Sequence, residues 1–185
     1  MEKILKFFKD KGLGKDFLFS PVKIEETPAY LRSVRGSASF GAAFSSDERE
    51  KSYFYISTPQ SGQKSQADAF LLENRFNREY KFLTAHEIVP GHHLLDTFRR
   101  RIKNPIRRQI ESPLFYEGWA TYAESLLIKY GYVDTPIEKL VYYKRRLWRS
   151  ARCIIDSGMP SGKIKKDNAV ALLTASGFSQ KEAEN

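Results

Sequence analysis

The chain of 185 residues has one cysteine, Cys153, which excludes an internal disulfide and leaves the redox compartment unmarked. It has no signal-like apolar core and no apolar run long enough to span a bilayer. Taken literally, these absences place the chain in the cytoplasm, an expectation that lapses if the true start lies upstream. Histidine is scarce too, with three residues in all. Carboxylates are outnumbered, 22 Asp plus Glu against 31 Lys plus Arg, for a net charge of +9. A basic balance can serve nucleic acid, anionic membrane or acidic ligands. The densest cluster, Arg99, Arg100, Arg101, Lys103, Arg107 and Arg108, comes without an aromatic platform or a nucleic-acid motif. It therefore reads as a solvated helix face and connector, and no nucleic-acid partner is expected. With 41% hydrophobic and 29% charged residues, the composition suits a single domain with a real core.

The three histidines all fall in one stretch, His86-Glu87-Ile88-Val89-Pro90-Gly91-His92-His93. Neutral imidazole is a common zinc ligand, and a glutamate beside the first ligand can take a proton from water that the metal has acidified. In the motif H-E-x-x-H the two histidines lie one turn apart on one helix face. Here Pro90 breaks that spacing. On an uninterrupted helix His92 would point away from His86, and His93 would share its face but lie about 10 Å along the axis. The disturbance at Pro90-Gly91 is read as a bulge of two extra residues that returns one of the two histidines to the metal.

A third ligand is expected downstream. Ser112 as N-cap and Pro113 at the first helical position open a helix over 114–130. It carries Glu117 and Glu124, seven residues apart and on nearly one face. The small residues Gly118, Ala120 and Ala123 should allow another helix to approach. One carboxylate can complete a His-His-Glu site and the other can orient a ligand from behind.

Around this centre the pattern predicts a short amphipathic helix over 1–11 ending near Gly12 or Gly14, and a strand over 21–26. A loop or linker is expected over 35–47 and a half-buried strand over 51–58, stopped by Pro59. A helix over 64–87, with Leu72, Phe76, Tyr80 and Leu83 on its apolar face, delivers His86 and Glu87. Thr135 and Glu138 form a capping box for a long helix with an apolar stripe of Ile137, Leu140, Val141, Leu147, Trp148, Ala151, Ile154 and Ile155. Along one side of it run Arg145, Arg149, Arg152 and Asp156, suited either to a substrate carboxylate or Glu124, or to an ion-pair network. A helix over 167–176 closes at Gly177, and Ser179 with Glu182 announces another just before the chain stops. This leads us to expect truncation at the C-terminus.

The paired motifs HEIVPGHH and YEGWATYAE resemble the domain-of-unknown-function 885 family, bacterial proteins usually described as zinc metallopeptidases of the gluzincin type. TPAYLR at 27–32, YFYIST at 53–58 and RLWRSARCIIDSG at 146–158 extend the resemblance over most of the chain. It implies His86 and His92 as histidine ligands, Glu87 as base and Glu117 as third ligand to Zn2+. His93, Glu124, Tyr55, Arg149, Arg152 and Asp156 become supporting or substrate-side candidates. It further implies that the strand over 51–58 is an edge strand that pairs with an extended peptide substrate. Two departures stand out: Pro160 where the family carries a histidine, and Leu95 where it carries glutamine. Family members are also several times longer, so the expectation is one partial domain, truncated at the C-terminus and at the N-terminus. A separate chain or segment would complete its fold.

The expected fold class is mostly α (α+β), a gluzincin-like helical domain with a small strand region bordering the cleft. The expected function is zinc-dependent peptide-bond hydrolysis. Two other readings stay open: an inactive or incomplete metallopeptidase remnant, and a basic nucleic-acid-binding module.

Overall fold

The computed structural model describes residues 1–13, 22–32, 38–43, 47, 49–57 and 79–184. The chain divides into two compact units, Met1–Val133 and Asp134–Asn185. As expected, it is mostly helical with one small sheet.

In the first unit, helix α1 (Glu2–Asp10) buries Ile4 and Phe8. Phe7 and Phe8 meet Tyr132 and Tyr130 edge-on, at 5.1 and 6.2 Å between ring centroids. This favours core packing over a membrane-surface role for the amphipathic N-terminus. The sheet holds β1 (Val22–Glu26), β2 (Ala38–Gly41) and β3 (Ser52–Ile56) in the order β1-β3-β2. β1 runs parallel to β3 and β2 runs antiparallel to it. Strand β2 corrects the expected loop over 35–47. Of its Ala-Ser-Phe-Gly sequence only Phe40 favours a strand, and pairing with β3 supplies what propensity does not. The order corrects a second expectation, because β3 is the central strand and both its edges are taken. One face of the sheet packs Phe54, with Val22, Ala38, Phe40 and Ile56, against Ile88 and Val89 of the histidine stretch.

Helix α2 is described over 79–87. Leu72 and Phe76 of the expected apolar face lie outside the described residues, as do Gly14, Pro21, Pro59 and the start of that helix. Phe82 and Ala85 are fully buried, whereas Tyr80 is exposed, so the core face is turned from the expected Tyr80–Leu83 line. Helices α3 (His92–Arg100), α4 (Pro105–Gln109) and α5 (Pro113–Lys129) follow, and α3 packs on α5. The arginine cluster is not simply solvated. Arg100 is buried and donates to the carbonyls of Asp47 and Glu50, tying α3 to the segment that enters β3. Arg99 bridges Asp96 and Glu111 at 2.7 and 3.2 Å.

The second unit is three helices: α6 (Pro136–Gly158), α7 (Lys166–Ala175) and α8 (Gln180–Glu184). The Thr135–Glu138 capping box forms, and Gly177 closes α7 at φ 94°. The apolar stripe of α6 divides: Ile137, Leu140, Leu147 and Ile154 are more than half exposed, Val141, Trp148 and Ile155 are half-buried, and Ala151 is buried together with Tyr142 and Arg145. Among the described residues no helix is long and apolar enough to cross a membrane.

This burial map makes a direct prediction. Leu127→Ala, a fully buried site on α5, should cost roughly 3 kcal/mol in urea unfolding, and Leu140→Ala on α6 less than about 0.5 kcal/mol. Equal losses would contradict the exposure of the α6 stripe.

Candidate metal centre

The centre is built at a break between two helices. The N–H groups of Ile88 and Val89 both reach the Thr84 carbonyl, at 2.9 and 3.2 Å, as α2 ends. The Val89–Pro90 peptide is cis, Gly91 is the N-cap of α3, and α3 begins at His92. The structure thus replaces the expected bulge with the end of one helix and the start of another. Pro90 has no N–H to donate and holds Val89 away from helical angles. Gly91 is needed for close approach rather than for an unusual φ: a Cβ there would lie 1.7 Å from the His86 carbonyl oxygen.

The restart aims His92 back at His86, with ring centroids 4.8 Å apart and planes at 86°. Helix α5 forms the third wall. Ser112 Oγ accepts from the Phe115 N–H at 3.4 Å, and Pro113 occupies the first turn, as expected. Ala120 and Ala123 are buried, but Gly118 faces open space instead of a neighbouring helix. The Trp119 indole N–H donates to the Pro90 carbonyl at 2.9 Å and lies 3.3 Å from that of Gly91, joining α5 to the helix break.

His86, His92 and Glu117 each offer one ligand atom, and these atoms lie within 4.8 Å of one another. Glu117 Oε2 is 3.2 Å from His86 Nε2, and Oε1 is 3.5 Å from His92 Nε2. Zinc bonds of about 2.0 Å in a tetrahedron put ligand atoms about 3.3 Å apart, so the donor chemistry and the two carboxylate–imidazole distances fit that ion, within a set that spans 4.8 Å. Behind the group, His86 Nδ1 donates to the fully buried carboxylate of Glu124 at 2.9 Å. This leaves Nε2 as the ligand atom. His92 stacks on Tyr116 at 3.9 Å, and its buried Nδ1 has no hydrogen-bond partner among the described residues.

His93 is buried beside the Phe40 ring, 5.7 Å between centroids, and is not in the cluster. Between the two histidines that spacing left open, it is His92 that joins His86. Tyr55 stacks on Tyr53 at 5.6 Å and lies over Gly41, an arrangement of packing within the sheet. Arg149, Arg152 and Asp156 belong to the second unit, where with Cys153 and Ser157 they line an open depression of about 490 Å³. The roles of Trp119, Tyr116 and Phe40 were not foreseen. The first two lie in the YEGWATYAE stretch beside Glu117, the signal that could have found them.

The electrostatics follow from burial and pairing. Burial would lower the His86 pKa, but Glu117 and Glu124 outweigh it and push it up to about 9. Glu117, bonded to both imidazoles, is held well below the usual carboxylate range. Glu87 is raised by burial, an effect only partly offset by His86, His92 and the Phe40 N–H, which donates to its carboxylate. A carboxyl raised in this way is a better proton acceptor when ionised. Because the Phe40 N–H points to Glu87, it points away from β3. By the alternation of an antiparallel pair, the backbone groups of Ala38 and Phe40 then face outward on the edge beside Glu87.

The family profile for bacterial proteins of unknown function (DUF885) matches residues 5–185. Two solved structures share the fold, and each is described as a "putative lipoprotein". One, of unknown function, from Shewanella oneidensis, aligns at TM-score 0.80 and 23% identity over 99% of this chain. The other, from Colwellia psychrerythraea, aligns at TM-score 0.71 and 20% identity, again over 99%. The chain spans about a third of their length, 32% and 31% respectively. No curated protein matches the chain.

Two outcomes are expected from the geometry. Gly91→Ala should destabilise the fold by roughly 3 kcal/mol or more, because a backbone oxygen occupies the space of the new methyl. A thermal melt within error of the wild type would contradict that contact. In metal-free protein His86 holds its proton more tightly folded than unfolded, so its contribution is full below about pH 6.5 and lost as pH rises through about 9. Glu117 has the opposite sign, contributing above about pH 4.5 and losing its contribution as pH falls below that range. Chelator-treated protein should therefore unfold more readily at about pH 9.5 than at about pH 6, and His86→Gln should flatten the difference. A wild-type profile no steeper than the variant's would remove the charged His86 from the account.

Proposed function

The chain belongs to the DUF885 family of bacterial proteins of unknown function, and we propose that its His86–His92–Glu117 centre holds zinc and hydrolyses peptide bonds. The observation that carries this reading is the convergence of two imidazoles and one carboxylate, from three different helices, with Glu87 beside them. When bound, zinc supplies a Lewis acid that polarises a carbonyl and acidifies water. Glu87 takes the proton of the attacking water and later hands it to the leaving amine. Its burial and the Phe40 N–H hold it ready for both transfers. Glu124 fixes the His86 ring, and the Tyr116 stack holds that of His92.

The peptide lies extended along the outer edge of β2, pairing with the backbone of Ala38 and with the Phe40 carbonyl, the Phe40 N–H being held by Glu87. This moves to β2 the role that the resemblance gave to β3. The edge adjoins the Glu87 carboxylate, so a peptide paired there brings a carbonyl toward the base. The second reading, a remnant without turnover, is favoured by Pro160, which stands where the resemblance expects a histidine and has no N–H to donate.

Elemental analysis of purified protein should find one zinc per chain, lost in His86→Ala and in Glu117→Ala. Glu87→Gln should keep the metal and lower peptide turnover by about 10²- to 10⁴-fold. Folded wild-type protein that takes up no zinc would overturn the reading. Stoichiometric zinc without turnover on any peptide would select the remnant.

A further inference from the structure

Asp96 is a fully buried carboxylate that the proposed chemistry does not use. Its Oδ1 accepts from Arg99 at 2.7 Å, while Oδ2 is sealed from solvent and has no hydrogen-bond partner among the described residues. One turn earlier on the same side of α3, the buried Nδ1 of His92 is in the same condition. Two such atoms are costly singly and complementary together. An imidazole that gives its Nε2 lone pair to a metal carries its proton on Nδ1, and a carboxylate oxygen accepts it. Tyr116 ties the two residues further. Its ring stacks on His92, and after burial the Asp96 charge is the strongest influence pushing the pKa of its hydroxyl up.

The stack alone leaves the His92 ring half-defined. It fixes the ring plane, but a half-turn about Cβ–Cγ keeps that plane and puts carbon where each nitrogen was. A bond at Nδ1 removes that freedom, as Glu124 does for His86. We propose that Asp96 is the positioning residue of His92: its Oδ2 holds the Nδ1–H across one helical turn through a single ordered water, and so keeps Nε2 aimed at the metal. Both imidazoles of the centre are then backed by a buried carboxylate, His86 by a residue of α5 and His92 by a residue of its own helix. The inference rests on the zinc reading and adds to it a residue outside the paired motifs HEIVPGHH and YEGWATYAE.

The test uses the whole 185-residue chain with isotope-labelled histidine, loaded with zinc. Proton–nitrogen NMR should show a His92 Nδ1–H that exchanges slowly with water. Asp96→Leu, which leaves no acceptor, should make that proton exchange rapidly and weaken zinc binding by about 10- to 100-fold in competition with a chelator. Arg99→Gln removes the ion pair of Asp96 but not its Oδ2, so it should lower the melting temperature and leave zinc affinity unchanged. Zinc-loaded wild-type protein with a rapidly exchanging His92 Nδ1–H would overturn the proposal, whether or not Asp96→Leu folds. So would unchanged zinc affinity in Asp96→Leu, or an equal loss in Arg99→Gln, which would assign Asp96 to the fold alone. Folded wild-type protein that takes up no zinc would overturn the zinc reading and this inference together, so the metal content of the wild type tells the two failures apart.

Discussion

The contact between Gly91 and the carbonyl of His86 is the constraint from which the rest of the centre follows. Only a residue without a side chain allows the backbone to double back so closely, since a Cβ would sit far inside van der Waals contact with that oxygen. Doubling back starts α3 at His92 and aims the imidazole at His86. The same turn presents the carbonyls of Pro90 and Gly91 to the indole of Trp119, which fixes α5 beside the break. Glu117 and Glu124 are then carried to the two nitrogens of one ring. Remove the close approach and three helices lose their common point.

The centre has a closed side and an open side, and charge is divided between them. Glu124 is fully buried, where an ionised carboxylate is costly unless paired, and His86 Nδ1 pairs with it. Glu117 is 62% exposed at its side chain and reaches in from the solvent side. The centre is therefore open to solvent on the Glu117 side, while the Glu124 side holds the geometry. The outer edge of β2, beside Glu87, borders the same stretch from the sheet.

Much of this was legible in the residues because the signals are local. The Ser112-Pro113 start, the Thr135–Glu138 capping box and the Gly177 stop each depend on neighbours within a few positions, and each forms. The clustering of every histidine with a glutamate pointed to the centre before any fold was known. What was misread depends on distant partners. β2 has only Phe40 to announce it, β3 takes an edge role from the resemblance although a strand pattern says nothing of how many neighbours it has, and the apolar stripe of α6 is only partly covered because hydrophobicity does not say what covers it.

The sequence by itself determined the inventory: which side chains can bind a metal, where helices begin and end, and that Pro90-Gly91 must interrupt the helix bearing His86. These follow from bond geometry and hydrogen-bond supply along the backbone. Residue spacing left His92 and His93 open, and the tertiary structure brings in the one that the resemblance implied, because one residue of helical rotation sends the His92 ring toward Glu117 and the His93 ring toward Phe40. It also decided that Glu117 and Glu124 share a single imidazole. Two carboxylates two turns apart can meet opposite nitrogens of one ring only when a second helix lies at the right depth across them. That depth is set by Ala120, Ala123 and the Trp119 bond rather than by spacing.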